Sequence, residues 1–155
     1  MFILDLCKAL ESSKIDYCLV GGVAVGLHGA IRGTLDIDIV VALNEKTFAS
    51  AEAVLARLGL EPRLPLRAKE LYQFREEYLK RRNLVAWGFI DPKQPQRQVD
   101  IILTHSPSEL SPITLTVHGR KLKVASIEGL IRMKKKSGRP QDREDVKALQ
   151  ELLRR

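Results

Sequence analysis

The chain has 155 residues, enough for one domain with a hydrophobic core and too few for two full ones. With 45% apolar and 29% charged residues, and no stretch approaching the roughly 20 apolar residues of a membrane span, transmembrane and disordered classes are excluded. The net charge of +7 is concentrated: residues 1–119 hold 14 basic and 14 acidic side chains, whereas residues 120–155 hold 12 basic and 5 acidic.

In chain order, Phe2, Ile3, Leu6 and Leu10 recur at helical spacing and predict a first helix over about 2–13. Its opening, MFILDLCKALESSKIDY, places Asp5 and Lys8 inside the apolar stretch and lacks a basic leader and cleavage site, so a cytoplasmic location is expected. Tyr17 to Val20 reads as a short buried strand running into Gly21-Gly22, and Val23 to His28 as a turn or two of helix. After a loop over Gly29 to Thr34, Asp36 to Leu43 is the clearest strand, and residues 46–58 form a second major helix with Phe48, Ala51, Val54, Leu55 and Leu58 on one stripe. Arg67 to Arg82 reads as a charged helix carrying Leu71, Phe74 and Tyr78. Leu84 to Ile90 and Gln98 to Leu103 are predicted as an antiparallel pair joined by a proline-containing turn. A second hairpin is predicted for Thr114 to Val117 and Lys121 to Val124, with Gly119 supplying a positive φ. Helices over Ser126 to about Lys136 and Pro140 to about Leu153 close the chain. The pattern is α/β. Cys7 and Cys18 are too few for a disulfide framework or zinc site and are expected to be small buried hydrophobes, and His28 and His118 are expected to be structural. Trp87 and Phe89 alternate with Ala86 and Gly88, which suits core or partner packing better than base stacking.

The chemistry centres on acids in strands. Asp36 and Asp38 stand two apart in one strand, so both side chains project from one face while Ile37, Ile39 and Val41 project from the other. Two carboxylates so placed repel, and a divalent cation such as Mg²⁺ or Mn²⁺, completed by water and substrate phosphate, would neutralise them. Asp100 repeats the apolar-acid-apolar pattern and can supply a third ligand if its strand is a neighbour, which suggests a two-metal phosphoryl site. Acids on the wet face of an antiparallel sheet are the plainer alternative. Gly21-Gly22, between strand and helix, suits close approach of a phosphate, although a tight turn explains it as well. Arg32 and Thr34 could bind phosphate and metal-bound substrate, or simply make an ion pair and a turn hydrogen bond. Lys134 follows Ile127, Leu130 and Ile131 on an apolar stripe, which turns it inward toward something negative unless it snorkels to the surface. Asp142 and Asp145 suit the first turns of the last helix, where acids offset the helix dipole, and Arg139 can pair with them.

Gly21-Gly22, the thirteen residues that follow, Asp36-Ile37-Asp38-Ile39 and the later Asp100 together resemble the DNA polymerase beta-like nucleotidyltransferase superfamily. GVAVGLHGAIRGTLDIDIVV (Gly22 to Val41) is similar to its compact prokaryotic branch, which includes lincosamide-modifying enzymes and abortive-infection toxin nucleotidyltransferases. Arg32 and Thr34 match the Arg and Thr or Ser that precede the paired acids there. Leu130-Ile131-Arg132-Met133-Lys134 and Arg139-Pro140-Gln141-Asp142-Arg143-Glu144-Asp145 resemble that branch's Lys and Arg-x-x-Asp-x-x-Asp helices. The resemblance spans about residues 17–150 and is weak from 60 to 96. It implies a nucleotidyltransferase fold: a mixed sheet flanked by helices, one domain over 1–155 with residues 126–155 as a C-terminal helical extension. It implies that Asp36, Asp38 and Asp100 bind metal and carry catalysis. Gly21, Gly22, Arg32, Thr34 and Lys134 would meet the nucleotide triphosphate, with Arg139, Asp142 and Asp145 in support. The implied reaction moves a nucleoside monophosphate from an NTP to an acceptor that could be an antibiotic, a tRNA end or a protein side chain. A non-catalytic nucleic-acid- or protein-binding module, such as a toxin-antitoxin component whose basic tail does the binding, is the rival expectation.

Overall fold

The computed structural model describes residues 1–29 and 36–155, so Arg32 and Thr34 lie outside the described residues. Seven strands form one mixed sheet: β1 (Tyr17–Val20), β2 (Asp36–Val41), β3 (Glu61–Pro62), β4 (Ala86–Ile90), β5 (Gln98–Ile102), β6 (Ile113–Val117) and β7 (Arg120–Val124), in the spatial order β3-β4-β5-β2-β1-β7-β6. β2 pairs antiparallel with β1 and parallel with β5, and β1 pairs parallel with β7. The hairpins β4–β5 and β6–β7 are antiparallel, as is the short edge pair β3–β4.

One face of this sheet is apolar because the strand alternation makes it so. Ile37, Ile39, Trp87, Phe89, Val99 and Ile101 are all buried. Helix α1 (Phe2–Ser12) adds Leu6, Cys7 and Leu10 to the same core, and α3 (Glu45–Arg57) adds Phe48, Ala51, Val54 and Leu55. Phe48 and Trp87 meet with ring centroids 6.0 Å apart, and Trp87 and Phe89 at 4.7 Å, which places both strand aromatics in the core. Burial raises the Cys7 thiol to about 11 and the Cys18 thiol to about 12, so both cysteines stay protonated hydrophobes. His28 is structural: its Nε2 donates to the Ala125 carbonyl at 2.8 Å.

Local chemistry sets the helix boundaries. Asn44 caps α3 by accepting from the Thr47 amide at 2.8 Å, and Ser126 caps α6 (Ile127–Ser137) by accepting from Gly129 at 3.0 Å. Gly138 ends α6 at φ +70°, and Pro140 opens α7 (Pro140–Leu153), so the two residues Gly138 and Arg139 reverse the chain and lay α7 against α6.

Three expectations need correction. The helix predicted from Val23 begins at Gly21, forming α2 (Gly21–Leu27) directly on the end of β1. The single helix predicted over Arg67 to Arg82 is two, α4 (Ala68–Gln73) and α5 (Arg75–Arg81), parted at Phe74, where φ −112° and ψ 20° leave the helical range. Phe74 is exposed, not part of the stripe that buries Leu71. The edge strand β3 and a 3₁₀ turn at Pro107–Leu110 were not predicted.

Candidate active site

Register brings the acids together. Asp38 is the direct cross-strand partner of Asp100 in the parallel β2–β5 pair, and Asp36 lies one pleat away opposite Gln98. Side chains at paired positions share a face, so all three carboxylates project from the side of the sheet opposite Phe48 and the core. The neighbourhood is expensive for charge. Burial, then the charges of Asp100 and Asp36, push Asp38 up to about 6, while Lys134 and Arg139 pull the other way. Asp100 is raised as well, chiefly by burial and partly by Asp36, against the opposing charge of Arg63.

Two glycines make room for these groups. Gly21 has φ +67°, and a Cβ there would overlap the Asp38 carboxylate, whose Cγ would lie 2.8 Å away. The Gly-Gly pair is therefore more than a turn: its first member lets the backbone pass against the acid. On the other side, Gly88 pairs with Asp100 across β4–β5, and a Cβ there would come within 2.9 Å of Asp100 Oδ1 and 3.2 Å of Arg63 Cδ. Gly22 is buried within α2.

Lys134 is turned inward, as its stripe predicts, and is 7% exposed. Its Nζ donates to Asp145 Oδ2 at 2.9 Å and lies 3.6 Å from Asp142 Oδ1. The snorkelling alternative is thereby replaced by a buried ion-paired network. Arg139 Nε donates to Asp142 Oδ2 at 2.9 Å, and Gln141 donates to Asp145 Oδ1 at 3.2 Å. Asp142 and Asp145 are both buried, so they hold the two helices together rather than only facing the helix dipole. Burial alone would raise Asp142, but hydrogen bonds from Arg139 and Ser137 and the charges of Arg139 and Lys134 hold it below the usual carboxylate range. The network stands within electrostatic reach of Asp38, through Lys134 and Arg139.

Among the described residues, no group of three or more His, Cys, Asp or Glu side chains makes a ready-made metal cage. Mg²⁺ does not require one: it is held by one or two carboxylates plus water and phosphate oxygens, a donor set that the adjacent Asp38 and Asp100, with Asp36 beside them, fit.

Sequence reasoning overlooked Arg63 and Gly88. An isolated glycine in a strand signals close approach of another group, and Gly88 was legible on that ground. Arg63 follows an edge strand of two residues and carries no such signal.

The overall fold of this chain matches solved structures. The lincosamide antibiotic adenylyltransferase LnuA, bound to lincomycin, matches with a TM-score of 0.63 and 16% identity over 97% of this chain and 94% of that one. The chain has the nucleotidyltransferase fold. ANT(2'')-Ia in complex with adenylyl-2''-tobramycin matches with a TM-score of 0.62 and 13% identity, over 96% of this chain and 85% of that one. An antigenic nucleotidyltransferase-like protein from Paracoccidioides brasiliensis matches with a TM-score of 0.58 and 19% identity, over 93% and 71%. No family model and no curated protein matches the sequence. The nucleotidyltransferase fold of this chain is thus carried by structure at identities too low to transfer a substrate.

Proposed function

We propose that the chain is a divalent-metal-dependent nucleotidyltransferase that moves a nucleoside monophosphate from an NTP to an acceptor hydroxyl. The observation that carries this reading is the Asp38–Asp100 pairing, with Asp36 on the same face, beside a glycine that leaves the Asp38 carboxylate room. A bound Mg²⁺ or Mn²⁺ would neutralise the carboxylates and the phosphate charge. The acceptor oxygen attacks the α-phosphorus, the bond to the pyrophosphate oxygen breaks, and pyrophosphate departs with the bonding pair. Asp100, on the β4 side of the cluster, accepts the acceptor's proton, while Asp36 and Asp38 hold the triphosphate end. Gly21 and Gly22 offer bare backbone to the phosphates, and the resemblance adds Arg32 and Thr34. Lys134 contributes its charge through the network that it anchors with Asp142, Asp145 and Arg139.

The test is mass detection of a nucleotide adduct after incubation with Mg²⁺, each NTP and candidate acceptors, beside calorimetric titration with non-hydrolysable NTPs. Asp100→Asn is expected to keep most nucleotide affinity and lose transfer, since Asp36 and Asp38 remain. Wild-type protein that binds no NTP at millimolar Mg²⁺ would sink the enzyme reading and favour a non-catalytic binding module.

A further inference from the structure

Resting on the transferase reading, we infer that Arg63 is a specificity-determining residue that selects an acceptor carrying a phosphate beside its reactive hydroxyl. Arg63 is placed by backbone pairing: its amide donates to the Gly88 carbonyl at 2.9 Å, one step beyond the Pro62–Phe89 pair of β3 and β4. Gly88 in turn faces Asp100. The Arg63 side chain crosses the bare position at Gly88, with Cδ 3.2 Å and Nε 3.7 Å from where a Cβ would stand, on the face that bears Asp100. A hydroxyl activated by Asp100 from the β4 side must therefore bring its neighbouring group under this guanidinium.

The charge is available for a ligand. Arg63 is exposed, and among the described residues its guanidinium makes no hydrogen bond or close ion pair, its charge acting on Asp100 only at longer range. Lys134 and Arg139, the cations on the Asp38 side, are instead occupied by Asp142 and Asp145. The planar guanidinium fork matches two phosphate oxygens at once and repels a cationic acceptor. A phosphate ester could be presented by a small sugar phosphate or by an oligonucleotide.

The test uses the full chain saturated with Mg²⁺ and a non-hydrolysable NTP analogue, titrated with ribose 5-phosphate, a short oligoribonucleotide and uncharged ribose. At least one phosphate probe is expected to bind more tightly than ribose, and which one does identifies the source. Arg63→Gln should weaken that probe by about tenfold to a hundredfold, the span of one charge-assisted contact. Arg63→Lys should recover part of the loss, and NTP affinity should stay unchanged in both variants. Phosphate probes no better than ribose, an unaltered affinity in a folded Arg63→Gln protein, or an equal loss of NTP affinity would each overturn the inference. Binding that follows this pattern without transfer to any acceptor would instead overturn the transferase reading and leave the phosphate site standing.

Discussion

At Asp38, three unfavourable circumstances meet: burial, a carboxylate across the strand pair and another two residues back. Its folded pKa of about 6 lies above the ordinary 3.8, so the native state holds this proton more tightly than the unfolded chain. The sign follows: stability linked to this group is fully present below the ordinary value and is lost as pH rises toward 6. In metal-free protein, Asp38→Asn should therefore gain on wild type between about pH 4 and 6 and plateau above, by on the order of 3 kcal/mol. Urea melts across that range in a chelating buffer would measure it, and a pH-independent difference would contradict the assignment. Gly21 makes the converse case, because its substitution disturbs the acid from outside. Gly21→Ala places a methyl into the Asp38 carboxylate at a positive φ, and a loss of about 1 to 3 kcal/mol is expected, with weaker Mg²⁺ response in thermal melts. Wild-type stability in that variant would mean that Asp38 can swing aside.

Among the elements, α6 and α7 are joined by more than apolar packing. Lys134, Asp142 and Asp145 are all buried, and removing Lys134 takes away the cation hydrogen-bonded to Asp145 in a poor dielectric, while Asp142 keeps Arg139. Lys134→Ala should cost about 3 to 5 kcal/mol in urea denaturation, and pairing it with Asp145→Asn should restore part of that. A Lys134→Ala protein as stable as wild type but deficient in NTP binding would show that the lysine serves the ligand first. This network also shows what sequence could and could not reveal. Helical periodicity located Lys134 on an inward stripe, because 3.6-residue spacing survives without tertiary information; its partners depend on how Gly138 and Pro140 fold α7 back. The same contrast holds in the strands. Alternation around Asp36, Asp38 and Asp100 was visible, but their meeting depends on the parallel β2–β5 register, a non-local pairing. The break at Phe74 has no glycine or proline to announce it, and two-residue β3 is too short to show any period.

For the whole molecule, the decisive asymmetry is charge. The excess of basic residues lies entirely in 120–155, and the structure turns most of it outward: Arg120, Lys121 and Lys123 are exposed on β7, Lys135 and Lys136 on α6, and Arg143 and Lys147 on α7. Asp142 and Asp145 are meanwhile buried and matched by Lys134 and Arg139, so they subtract little from that outer field. An exposed field of one sign acts through counterion release, and its signature is salt dependence rather than any single contact. Any single-stranded nucleic acid bound by the chain should therefore weaken steadily as salt rises. Lys135→Gln with Lys136→Gln should lower the slope of log affinity against log salt by about 0.7 for each phosphate contact removed. Filter binding across a salt series measures this. Arg63→Gln, which removes one charge over Gly88, should alter the slope by no more than one contact. An unchanged slope in the double lysine variant would place the contacts elsewhere. No binding at micromolar protein and low salt would leave the basic tail to nucleotide attraction or solubility.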